Sequence, residues 1–108
     1  MPSPDDFRRI ALALPDVEEK GHMGHPDFRV GGKVFATLAY PGPEWGMVRL
    51  MPEQQSDFIA LSPAFEPVAG AWGRSGNTLV KLADVDPELL ETALRAAWRE
   101  RAPKKLLG

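Results

Sequence analysis

An α+β two-layer sandwich, with an antiparallel sheet and helices packed on one face, is the fold this sequence predicts. Three observations carry that expectation. Segments near both ends show the i, i+3, i+4 apolar period of amphipathic helices, and a shorter helix-like segment follows Pro52. The stretch between Phe28 and Met51 is rich in β-forming residues broken by Gly and Pro pairs. The connections there are too short for parallel crossovers, so the strands must run as a meander.

The first helix is read from Phe7, Ile10, Ala11 and Leu14, which form one apolar stripe. Ser3 serves as its N-cap, Pro4 takes the first helical position, and Asp5 and Asp6 face the positive end of the helix dipole. Pro15 ends it, and the polar stretch Asp16 to Gly24 reads as a connection. Phe28-Arg29-Val30 alternates as a strand, Gly31-Gly32 is a two-residue hairpin signature, and Lys33 to Tyr40 is the return strand. Pro41-Gly42-Pro43 breaks the run before a third strand, Trp45 to Met51.

Pro52 opens the second helix, with Phe58, Leu61 and Ile59 expected to point inward and Ser62-Pro63 at its end. Ala64 to Asn77 reads as an irregular connection and Thr78 to Leu82 as a fourth strand. Asp86 caps the last helix and Pro87 starts it; Leu89, Leu90, Ala93, Leu94, Ala97 and Trp98 form a broad apolar stripe that Pro103 closes. The expected order is α-βββ-α-β-α. Alternation puts Val48 and Leu50 on one sheet face and Met47, Arg49 and Met51 on the other, the Arg49 side being the better candidate for solvent.

At 108 residues the chain is expected to be one domain, residues 1–108. The absence of cysteine excludes disulfides, thiolate chemistry and cysteine-ligated metal centres. No apolar run reaches the ~20 residues that span a bilayer. Met-Pro-Ser-Pro-Asp-Asp lacks the basic start and apolar stretch of a signal peptide, so a cytoplasmic location is expected.

The net charge of −2 divides unevenly: through Leu94 there are 8 basic and 14 acidic residues, and from Arg95 onward 5 basic and 1 acidic. A non-specific nucleic-acid binder gains most of its affinity from phosphate neutralisation. Any such contact here must therefore come from a local patch.

Chemistry-bearing patterns are few. His22 and His25, with Glu18, Glu19 and Asp27, are weak candidate metal ligands, and a polar loop explains them better. Gly31-Gly32-Lys33 resembles the end of a phosphate-binding loop. However, Asp27 stands where that motif needs its first glycine, and Val34 where it needs Ser or Thr. Ser56, Ser62, Ser75 and Thr78 sit in no nucleophile motif, and the carboxylates scatter over helix starts and loops. Neither an enzyme nor a cofactor is expected. Trp45, Trp72, Trp98, Phe35 and Tyr40 lie among Arg29, Lys33, Arg49, Arg74 and Lys81, a mixture that suits phosphate gripping and base stacking and equally suits an ordinary core with a solvated face.

His25-Pro26-Asp27-Phe28-Arg29-Val30 followed by Gly32-Lys33-Val34-Phe35-Ala36-Thr37-Leu38 resembles the signature of the MmcQ/YjbR family. Pro63-Ala64-Phe65 with Trp72-Gly73, the Thr78 to Leu82 strand, and Ala96-Ala97-Trp98 with Ala102-Pro103-Lys104 continue the likeness in order over nearly the whole chain. The resemblance implies a CyaY-like (frataxin-like) fold in a small bacterial-type domain. It also implies DNA binding by strands that reach toward a duplex, a function argued from fold analogy. It defines no catalytic residue. Where many relatives carry a tryptophan ahead of the last strand, this chain has Asn77 after Gly76.

Lys33 matches the family motif directly. Arg29, Arg49, Arg74 and Lys81 are added from expected strand exposure, and Lys104 and Lys105 as further phosphate contacts. The expectation is a monomeric, non-enzymatic DNA-binding domain without cofactor. Its rival is a protein, peptide or small-ligand interaction module on the same open face, favoured by the negative body. Metal handling by analogy with frataxin would need acids along the first helix, where only Asp5 and Asp6 occur.

Overall fold

The computed structural model describes residues 2–22 and 25–107. Its elements in chain order are α1 (Pro4–Leu12), β1 (Val17–His22), β2 (His25–Val30), β3 (Lys33–Leu38), β4 (Trp45–Arg49) and α2 (Pro52–Leu61). Then come β5 (Phe65–Pro67), α3 (Ala71–Arg74), β6 (Asn77–Lys81), α4 (Pro87–Arg101) and a 3₁₀ turn, η1 (Lys104–Leu106). The strands form one six-stranded sheet in the order β1-β2-β3-β4-β6-β5, every pair antiparallel. This is the predicted α+β architecture, with two strands, the short helix α3 and the turn η1 more than the sequence suggested.

Local chemistry explains the helix starts. In α1 the Ser3 hydroxyl accepts from the Asp6 N–H at 3.2 Å, and the Asp6 carboxylate accepts from the Ser3 N–H at 2.9 Å. In α4 the Asp86 carboxylate accepts from the Glu88 N–H at 2.8 Å, and Arg99 and Arg101 occupy the negative end of the dipole. The β2–β3 hairpin turns through Gly31 (φ +59) and Gly32 (φ +80), a pair of left-handed conformations that only glycine adopts without strain.

One sheet face packs on α1 and α4. Phe7 of α1 is fully buried, 5.8 Å ring to ring from Phe28 of β2, and it leaves no room over β4: a Cβ at Gly46 would stand 2.6 Å from its ring. Leu90, Ala93, Leu94, Ala97 and Trp98 form the buried stripe of α4, and the Trp98 indole donates to the Pro15 carbonyl at 3.0 Å. Val48 and Leu50 belong to this core, as alternation predicts. Phe35 and Ala36 break the alternation, both being fully buried. The register explains this: Phe28 pairs with Ala36 and Arg29 with Val34, so a bulge leaves Phe35 as an extra residue that also turns inward.

Four expectations need correction. The Asp16 to Gly24 stretch is not a loop, because residues 17–22 form β1, paired with β2 along its length from Val17↔Val30 to His22↔His25. Its composition hides it because it is an edge strand whose charged residues face water, which also protects the edge from pairing with other chains. The Ala64 to Asn77 connection holds β5 and α3. Finally, Ile59 (37% exposed) and Leu61 (68% exposed) do not point inward; α2 buries Gln55 and Phe58 instead.

Gln55 is the polar anchor of that helix. Its amide nitrogen donates to the Gly73 carbonyl (2.9 Å), the Asn77 carbonyl (3.0 Å) and the Thr78 hydroxyl (3.2 Å), tying α2 to α3 and β6.

Candidate nucleic-acid interface

The sheet face away from α1 and α4 is built by register. Lys20, Asp27, Thr37, Met47, Leu79 and Glu66 pair in sequence across all six strands, so their side chains share one row. Two residues along each strand lie flanking positions of the same face: Trp45 opposite Lys81 on one side, and on the other Glu18 opposite Arg29 and Arg49 opposite Asn77. Met47 at the centre is nearly buried, while Trp45, Leu79, Thr37, Arg29, Arg49 and Lys81 are half-buried. The result is a half-buried sheet surface with an apolar middle and charges of both signs around it.

The cations divide into two groups. Arg8 pairs with Asp5 and Glu19, Arg9 with Asp6, Lys20 with Glu18, Arg29 with Asp27, Lys81 with Asp84, and Arg95 with Glu91. Among the described residues, Lys33, Arg49, Arg74, Arg99, Arg101, Lys104 and Lys105 have no ion-pair partner.

These unpaired cations converge on one end of the molecule. The tail after α4 abuts the β2–β3 hairpin, since a Cβ at Gly31 would lie 2.9 Å from the Pro103 ring. That contact sets the last turn of α4, with Arg99 and Arg101, and the tail carrying Lys104 and Lys105 at the hairpin end, where Lys33 begins β3. The Arg101 charge also acts on Arg49 at the end of β4, and Arg74 lies on the turn into Asn77, the strand partner of Arg49. At the far end of α4, 15 residues and roughly 22 Å away, Asp84, Asp86, Glu88 and Glu91 gather. Helix-dipole compensation accounts for part of this polarity. It does not account for Lys33, Arg49 and Arg74, which lie outside α4.

Arg49 stands out within the group. Its Nε is shielded from solvent and has no hydrogen-bond partner among the described residues. Burial first, and the charge of Arg101 second, hold its guanidinium below its ordinary pKa. A donor left in that state favours an incoming anion.

The remaining sequence-chosen residues fall outside this end or are already engaged. Arg29 binds Asp27 through two bonds, Nε to Oδ1 at 2.9 Å and an outer nitrogen to Oδ2 at 3.1 Å, and that pairing raises its pKa. Lys81 sits 6.0 Å over the Trp45 ring and 4.0 Å from Asp84. The site thus brings together Lys33, Arg49, Arg74, Lys104 and Lys105 but not Arg29 or Lys81. Sequence reasoning left out Arg99 and Arg101 as contacts, although both belong to the basic run it counted after Leu94.

Of the weak metal candidates, only some are described. The His22 side chain lies outside the described residues. His25 is exposed, and its Nδ1–H donates to the Ala39 carbonyl at 2.6 Å. No group of three His, Cys, Asp or Glu side chains suited to a metal ion occurs among the described residues. No helix among them is long and apolar enough to cross a membrane. The acidic end carries an open groove of about 460 Å³ lined by Leu61, Ser62, Asp84, Asp86, Glu88, Leu89 and Thr92.

Comparison with known proteins adds a family and a fold. The family model YjbR matches residues 12–100. A solved structure, that of Deinococcus radiodurans protein DR2400 with its DUF419 domain, superposes with a TM-score of 0.75 at 22% identity, over 91% of this chain and 77% of that one. At that identity the likeness concerns the fold. Comparison with curated proteins yields no match.

Proposed function

This chain belongs to the YjbR family, and on the fold which that membership brings we propose that it is a non-enzymatic DNA-binding domain whose contact surface is the basic end of the sheet. The observation that carries this reading is the segregation of unpaired cations: seven of the 13 basic residues lack an ion pair among the described residues, and they converge on the end formed by the hairpin, β4 and the tail of α4. Phosphates supply the charge these groups lack, and Arg49 offers a desolvated donor for a charge-assisted bond. The non-enzymatic part rests on the engagement of His25 with a backbone carbonyl and on the use of Asp6 and Asp86 as helix caps and of Asp5, Glu18, Glu19, Asp27, Asp84 and Glu91 in ion pairs.

The test is fluorescence anisotropy with labelled DNA at several salt concentrations, comparing the wild type with the double variant Lys33→Glu/Arg49→Glu. With three to five phosphates neutralised, log K should fall against log salt with a slope of roughly −3 to −4.5 on duplex. The variant should lose most of the affinity. Absence of binding at low salt refutes the reading.

The acidic groove supports a second reading, a protein or peptide partner bearing cations at the α2–α4 end, where Leu61 is 68% exposed. That partner would bind normally to the double variant, whose substitutions lie at the opposite pole.

A further inference from the structure

Resting on the DNA reading above, we propose that the strand bound at the basic end is single-stranded, with a phosphodiester on Arg49 and a base stacked on the exposed indole of Trp72. Trp72 is 60% exposed, an unusual position for the largest apolar side chain in a small domain. Its turn is not loose. The Trp72 carbonyl accepts from the Asn77 side-chain amide at 3.0 Å and from the Ser75 N–H at 3.2 Å.

Asn77 is itself buried and is the strand partner of Arg49, so the turn that presents the indole is fastened to the residue opposite the unsatisfied guanidinium. The Leu50 N–H donates to the Gly76 carbonyl at 3.1 Å, which holds the end of β4 against the same turn, and Met51 (44% exposed) adds apolar surface just beyond it.

A duplex keeps its base faces stacked on one another and offers a protein only groove edges and phosphates. A single strand offers both a phosphate and a free π-face within one nucleotide. An exposed indole, on a turn bonded to the strand partner of an unpaired cation, therefore complements the single strand. The charge serves either form of DNA, since Arg49 and Arg101 have no ion-pair partner among the described residues; the indole is what distinguishes the single strand.

The experiment titrates the full chain, and its Trp72→Ala and Trp72→Phe variants, into labelled oligo(dT) and a duplex of equal length at low salt. Anisotropy is the readout, and thermal unfolding of each variant controls for folding. The expected result is tighter binding of oligo(dT) than duplex. Trp72→Ala should weaken oligo(dT) by about 5- to 140-fold, the range of one base–aromatic stack, with little effect on duplex. Trp72→Phe should restore most of the loss. Equal affinity for both DNAs with a neutral Trp72→Ala overturns the single-strand assignment and leaves the DNA reading standing. Absence of binding to either DNA removes both.

Discussion

Replacing Arg49 by methionine should make this protein more stable and, on the proposed function, weaken its binding to DNA. The Nε of Arg49 is shielded from water and unpartnered, and the positive charge of Arg101 acts on the same guanidinium. A buried donor without an acceptor costs about 1–3 kcal/mol; because the Arg49 side chain is only half-buried, the lower end applies, about 1 kcal/mol. Methionine keeps an unbranched stem over the sheet beside Met47 and Asn77 while removing both the orphan donor and the repulsion. In a domain of this size, 1 kcal/mol moves the melting temperature by roughly 4 °C.

Differential scanning calorimetry at neutral pH and moderate salt measures the shift directly, and the same preparation enters the anisotropy titration. A rise of a few degrees together with lost affinity means that the fold tolerates an unfavourable charge which function uses. A lower melting temperature for Arg49→Met refutes the reasoning, because it would mean that Arg49 makes a stabilising contact in the free protein. Arg49→Lys separates charge from geometry, and should retain part of the affinity while losing the fork that grips an oxyanion.

Two further predictions concern the scaffold. Gln55→Glu should destabilise by roughly 3–5 kcal/mol in urea unfolding at pH 7, since a carboxylate would then face the Gly73 and Asn77 carbonyls and a Thr78 hydroxyl that already donates to Gly76 at 2.9 Å. Such a carboxyl has its pKa raised in the folded state, so the deficit should shrink as pH falls toward the unfolded carboxylate value; a deficit independent of pH would contradict the assigned donor. Asp6 behaves oppositely. The Ser3 backbone N–H, then Arg9, then the Ser3 hydroxyl hold its pKa below the ordinary 3.8. Its contribution to stability is therefore present above pH 3.8 and lost as pH falls through the folded value. Asp6→Asn should flatten the acid limb of the melting-temperature profile, and an unchanged limb would exclude this capping box as a contributor.

Much of the fold was legible because its strongest elements carry local signals. Ser3, Pro4, Asp86 and Pro87 mark helix starts by capping chemistry, Gly31-Gly32 marks a hairpin by its backbone freedom, and the α4 stripe repeats at helical spacing. What escaped are elements stabilised from elsewhere. Strand β1 is held by its pairing with β2, and in Val-Glu-Glu-Lys-Gly-His only Val17 is a strong strand former. The three residues of β5 are fixed by Phe65 against Phe58, with rings 5.3 Å apart, a contact between separate elements.

Of the interface, residue type identified the candidate cations, but pairing sorted them. Arg29 follows Asp27 by two positions and Arg49 follows Met47, a difference already present in the sequence; the structure shows the first as a bonded pair and the second as an orphan donor. Gln55 shows a signal that could have been used: a polar residue three positions before Phe58, on the inward side of a helix, demands acceptors from the core.

The separation of acids and bases along α4 gives this near-neutral molecule an orientation in an electric field. A net charge of −2 suggests indifference or mild repulsion toward a polyanion. A charge dipole about as long as the helix acts differently: the field of the polyanion turns the domain so that the hairpin and the tail of α4 lead and the Asp84–Glu88 end trails. Encounter would then be steered end-on, and its rate would depend on ionic strength more steeply than the net charge allows. The isoelectric point is thus a poor guide to how this molecule would meet a polyanion.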